Sequence, residues 1–64
     1  MTEKEFDVLT ALESHTEKLS QRELAKFTGV SVGTVNSTLV LLEENGLVKD
    51  GFITQKGIKN ILMP

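Results

Sequence analysis

The sequence contains no cysteine, so it can form neither a disulfide framework nor a thiolate metal site. That fits a reducing compartment, and a cytoplasmic location is expected. Trp and Tyr are also missing, and three Phe are the only aromatic rings apart from one His. No apolar run approaches the roughly 20 residues of a membrane span. The charged start Met1-Thr2-Glu3-Lys4-Glu5 leads into no signal-peptide core, so no membrane partner is expected. Cations are scarce: seven Lys and Arg face nine Asp and Glu, for a net charge of −2. A basic footprint of the kind most nucleic-acid binders carry is therefore absent from the composition. Catalytic groups are scarce too. His15 has no sequence partner for acid–base or metal chemistry, and there is no glycine-rich phosphate loop or supported carboxylate pair. No catalytic residue, metal ligand or cofactor is assigned, and the chain is not read as an enzyme.

What is present suffices for one small domain over residues 1–64. The hydrophobic share is 39%, above the range of disordered chains. Thr2 with Glu5, and Ser20 with Glu23, both have the spacing of a helix-opening capping box. The first predicts a helix over 3–14 that buries Val8, Leu9 and Leu12; Phe6 is also at helical spacing. The second predicts a helix over 21–27 with Leu24 and Ala25 inward, ended by Gly29. Ser31 is placed to cap a third helix, running to Asn45-Gly46, with Val35, Leu39 and Leu42 as its buried stripe. Asp50-Gly51 lies between Leu47-Val48-Lys49 and Phe52-Ile53-Thr54, the strongest short-range signal for a tight hairpin. Leu19 can add a short third strand. Thr54 can cap a last helix with Ile58, Ile61 and Leu62 on one side. The expected fold is mainly α with a small hairpin, in the order α, short β, α, α, β, β, α. His15 is expected in a solvated loop. The stop at Met63-Pro64, just after an apolar segment, points to an N-terminal domain of a longer protein.

The spacing from Ser20 to Asn45 carries most of the meaning. Ala25 is small where a second helix must cross closely, Gly29 permits a sharp turn, and Val30, Val35 and Leu39 fill the wedge. Leu19-Ser20-Gln21-Arg22-Glu23-Leu24-Ala25, Gly29-Val30-Ser31, Gly33-Thr34-Val35 and Leu42-Glu43-Glu44-Asn45-Gly46-Leu47-Val48 resemble the winged helix-turn-helix regulators of bacteria, broadly the MarR-like group. Ile53-Thr54-Gln55-Lys56-Gly57 is similar to the segment after the wing in that group. The resemblance implies transcription regulation, with double-stranded DNA as partner and residues 31–45 as recognition helix in the major groove. It implies that Ser31, Gly33, Thr34, Asn36 and Ser37 face DNA, with Asn36 suited to an adenine edge. Gln21, Arg22 and Lys26 would touch the backbone, and Lys49 would sit beside the wing tip.

The sequence also departs from that pattern. No Lys or Arg occurs between Ser31 and Glu44, whereas members that bind DNA often carry basic residues at the positions of Ser37, Val40 and Leu41. Asp50 places a negative charge on a minimal wing. Val40 and Leu41 lie off the expected core stripe, so with Phe27 they are candidates for a protein contact. Equally, one of the two aliphatics could widen the buried face and the other be an ordinary surface residue. A second class of function stays open on these residues: a protein-interaction or regulatory module fused to an enzyme. The start of the chain and its wing region resemble the N-terminal winged helix domains fused to sugar-nucleotide or choline-phosphate transferases in Gram-positive bacteria. A C-terminal catalytic domain would then be the partner. The expected state is a monomer, with a weak homodimer through the apolar patch as the alternative.

Overall fold

A computed structural model describes residues 1–62, and Met63 and Pro64 lie outside the described residues. The chain forms α1 (Glu3–Glu13), α2 (Gln21–Thr28), α3 (Val32–Glu44), β1 (Val48–Lys49), β2 (Phe52–Ile53) and α4 (Gln55–Leu62). Local chemistry sets the helix ends. Thr2 and Ser20 close full capping boxes: each side chain accepts the backbone N–H three residues on, and Glu5 and Glu23 reach back to the cap. Ser31 caps α3 with its side chain alone, accepting from the Thr34 N–H. Gly29 leaves α2 in the left-handed region, at φ 75°, a conformation that costs glycine nothing sterically. At the far end of α3, the Leu47 N–H donates to the Leu42 carbonyl and the Gly46 N–H to that of Glu43. This is the double bond pattern of a Schellman ending.

The three main helices close on one core. Val8, Leu9, Leu12, Leu19, Leu24, Val35, Leu42, Leu47 and Val48 are buried, and Ala11, Ala25, Val30, Leu39, Ile53 and Ile61 pack against them. The expected α3 stripe needs one correction. Val35 and Leu42 are fully buried, but Leu39 is only half-buried, and Thr38 takes the buried place between them at 6% exposure. The inward face follows 35, 38 and 42, a spacing of three then four, which rotates Leu39 to its edge.

Antiparallel strands β1 and β2 pair Val48 with Ile53 and Lys49 with Phe52, leaving Asp50-Gly51 as a two-residue turn. Both turn residues have positive φ, 54° and 86°, as the hairpin turn that matches strand twist requires. The sheet has two strands. Leu19, expected to add a third, is buried in the core but lies outside any strand; its side chain packs while its backbone joins no ladder. The strands are also shorter than expected. Leu47 is buried ahead of β1, and Thr54 has left β2 to open α4. The Thr54 hydroxyl donates to the Gly46 carbonyl at 2.7 Å and accepts the Gly57 N–H at 3.1 Å, so one side chain joins the end of α3 to the start of α4. On α4, Ile58 and Ile61 are half-buried, but Leu62 is 73% exposed and is no part of the expected packed side.

Candidate nucleic-acid interface

The unit from Ser20 to Asn45 folds as two helices around the Gly29 turn, and its geometry decides which polar groups stay free. Burial of Val35, Thr38 and Leu42 turns the opposite side of α3 to solvent. Gly33, Asn36, Ser37 and Val40 are all exposed there; their spacing of three, four and seven makes one face. Val32, at 43% exposure, flanks it near the N-terminus, and Leu41 flanks it further along.

Asn36 is the best-positioned polar group on this face. The Gln21 side-chain amide, at the first residue of α2, donates to Asn36 Oδ1 over 3.1 Å. This contact joins residues 15 apart and ties the start of α2 to the outward side of α3. It uses one lone pair of the Asn36 carbonyl and leaves both amide N–H groups to donate elsewhere. Ser37 is exposed, with its hydroxyl resting on the Gly33 carbonyl at 3.2 Å. Such an intrahelical bond is readily exchanged for an external acceptor.

Two of the expected contact residues are otherwise engaged. The Ser31 hydroxyl accepts the Thr34 N–H and donates to Thr34 Oγ1 at 2.9 Å. Thr34 is half-buried. Both side chains therefore serve the opening of α3, and their polar atoms face each other. Arg22 and Lys26 are exposed on α2, and Lys49 is exposed on β1 beside the wing turn. Lys18 was not among the expected residues, yet its stem lies against Gly51 in that turn. No local signal in the sequence marks this contact, because it joins two loops far apart in the chain.

The apolar candidates separate. Val40 and Leu41 are 50% and 49% exposed, so neither extends the buried face. Phe27 is also exposed, and its ring stacks on His15 at 4.7 Å between centroids. With Phe6, these rings border an open groove between α1 and α2 of about 460 Å³. The expectation of a solvated His15 is corrected accordingly. The residue is half-buried, and its Nδ1 lies 2.8 Å from the Ala11 carbonyl. Among the described residues no cluster of three or more His, Asp or Glu is placed to hold a metal ion, and no helix is long and apolar enough to cross a membrane.

The acidic groups near these helices act on the caps. The Glu23 carboxylate is held below its usual range by the Ser20 backbone N–H and then the Ser20 hydroxyl. Glu5 is lowered in the same way by the Thr2 backbone N–H and hydroxyl. An ionised acceptor completes each box, and negative charge near a helix N-terminus also suits its dipole.

Comparison with curated proteins and with solved structures returned no match. A sequence model of the MarR family matches residues 1–56, which takes in α1, α2, α3 and the whole hairpin. With that match and the helix-turn-helix and wing in place, the chain belongs to the MarR family of winged-helix, DNA-binding transcription regulators.

Proposed function

We propose that the domain binds double-stranded DNA with α3 in the major groove, reading base edges through Asn36 and Ser37. The observation that carries this reading is the outward face of α3, with Asn36 held in orientation by Gln21. An amide held this way can accept from and donate to an adenine edge without first losing much side-chain freedom. Gln21 and Arg22 at the start of α2, then Lys26 one turn on, contact backbone phosphates. Ser31 and Thr34 support the helix start, and the Thr34 hydroxyl keeps its own proton to donate. With no cation on α3, the phosphate contacts are few, and affinity is moderate even at low salt.

The exposed Val32, Val40 and Leu41 favour a second reading, in which the same face binds protein and the domain regulates a fused enzyme. A winged helix can serve either role. The two are separated by fluorescence anisotropy with a pool of mixed-sequence duplexes at low ionic strength. DNA binding predicts saturable binding that weakens as salt is raised. No binding at the lowest salt, with concentration-dependent self-association instead, rejects the DNA reading.

A further inference from the structure

We propose that Lys18, in the loop before α2, is a phosphate-contacting residue of the wing that works as a pair with Lys49. The proposal rests on the DNA-binding reading above and deepens it, because it moves backbone charge off the recognition helix. It begins with a contact between two loops. A Cβ placed on Gly51 would lie 2.6 Å from Lys18 Cε, 3.2 Å from Cγ and 3.3 Å from Cδ. The methylene stem of Lys18 therefore runs across the wing turn, in space that only a glycine leaves open. Long basic side chains commonly lay their stems on a surface and keep the ammonium in water, and Lys18 is exposed as a residue. Its charge is thereby delivered to the rim of the wing tip, and Lys49 is exposed on β1 next to the same turn.

The same loop leads from the wing to the α3 face. Gln21, which holds Asn36, is three residues beyond Lys18. Three residues span at most about 10 Å. The loop segment from Lys18 to Gln21 thus links the wing turn, through the Lys18–Gly51 contact, to the α3 face, through the Gln21–Asn36 bond. This arrangement supplies what α3 lacks. Each lysine has an acidic neighbour in the chain, Glu17 or Asp50. The pair consequently works at the reach of its own stems, as two discrete phosphate contacts and not as a long-range field.

The test is the salt dependence of duplex binding by the whole 64-residue chain, measured for wild type, Lys18→Met, Lys18→Arg and Lys59→Gln. Methionine keeps an apolar stem over Gly51 and removes only the charge; Lys59, on α4, is a same-charge control. Circular dichroism melts verify that all four are folded. One lost phosphate contact lowers the slope of log affinity against log salt by about 0.9, so between about 200 and 50 mM salt Lys18→Met gains about 3.5-fold less affinity than wild type. Lys18→Arg is expected to restore the slope and Lys59→Gln to leave it unchanged. Wild-type binding with an unaltered slope in Lys18→Met overturns the Lys18 assignment alone. An absence of wild-type binding at the lowest salt overturns the DNA reading, and this assignment with it.

Discussion

Gly57 and Gly33 are both helical glycines, yet alanine should move stability in opposite directions at the two. Helix propensity alone favours Ala over Gly by up to about 1 kcal/mol at either place. At Gly33 nothing lies within 4 Å of an added Cβ, and the residue is exposed. Gly33→Ala should therefore stabilise the domain by some fraction of that propensity gain. Gly57 is buried where α4 meets the hairpin. A Cβ there would sit 2.7 Å from Ile53 Cγ1 and would also overlap the Leu47 carbonyl oxygen. Carbon atoms rest at about 3.5–4.0 Å, so one side must retreat by roughly an ångström. Ile53 can change rotamer, but the Leu47 carbonyl cannot, because it is backbone and accepts the Thr54 N–H at 2.9 Å. Moving α4 away stretches that bond and pulls on the Thr54 cap. Overpacking of this kind costs about 1–3 kcal/mol, which outweighs the propensity gain and leaves a net loss of up to about 2 kcal/mol. In a domain of this size each kcal/mol moves the midpoint by about 4–8 °C. Thermal and urea melts followed by circular dichroism should show Gly33→Ala at or above the parent and Gly57→Ala several degrees below it. Equal stabilisation of both would refute the packing argument.

Two further predictions concern the core and the caps. Leu42→Ala should cost about 2–5 kcal/mol, as for other buried leucines, whereas half-buried Leu39→Ala should fall at or below the low end of that range; urea melts in which Leu39→Ala is the more damaging would mean the inward face of α3 is wrongly placed. The capping carboxylates Glu5 and Glu23 are shifted down in the fold, so their contribution is complete above the unfolded glutamate range and is lost as pH falls through the lower folded values. Stability should thus decline on acidification through and below that range, and Glu23→Gln, which can still accept the Ser20 N–H, should flatten part of the decline. An acid limb unchanged in Glu23→Gln, with the helix content intact, would show that this carboxylate is not linked to folding.

The parts of the fold legible in the sequence are those decided locally. A serine or threonine three residues before a glutamate, a glycine after a helix and an Asp-Gly turn each act within a few residues. These signals mark the starts of α1 and α2, the end of α2 and the wing turn. Register around α3 was harder to read. Leu39 is more apolar than Thr38, and hydrophobicity alone favours it for the core. The packing of α1 and α2 against α3 instead selects the face centred on Thr38. The contacts that depend on distant chain segments left no signal at all. Leu19 packs without pairing, Gly57 is small because Leu47 and Ile53 press on it, and Lys18 crosses Gly51. At the candidate interface, Asn36 and Ser37 follow from the family resemblance, and their exposure on one face of α3 belongs to the fold. The Gln21–Asn36 bond, and the mutual engagement of Ser31 and Thr34, needed the three-dimensional arrangement.

If the outward face of α3 reads DNA, the backbone amides of that face should respond to mixed-sequence duplex in a low-salt titration followed by chemical shift. Shifts should concentrate at Gly33, Asn36 and Ser37, with a second set at Lys18 and Lys49, all fading as salt is raised. Shifts confined to Val40 and Leu41 that depend on protein concentration and ignore DNA would contradict the DNA reading.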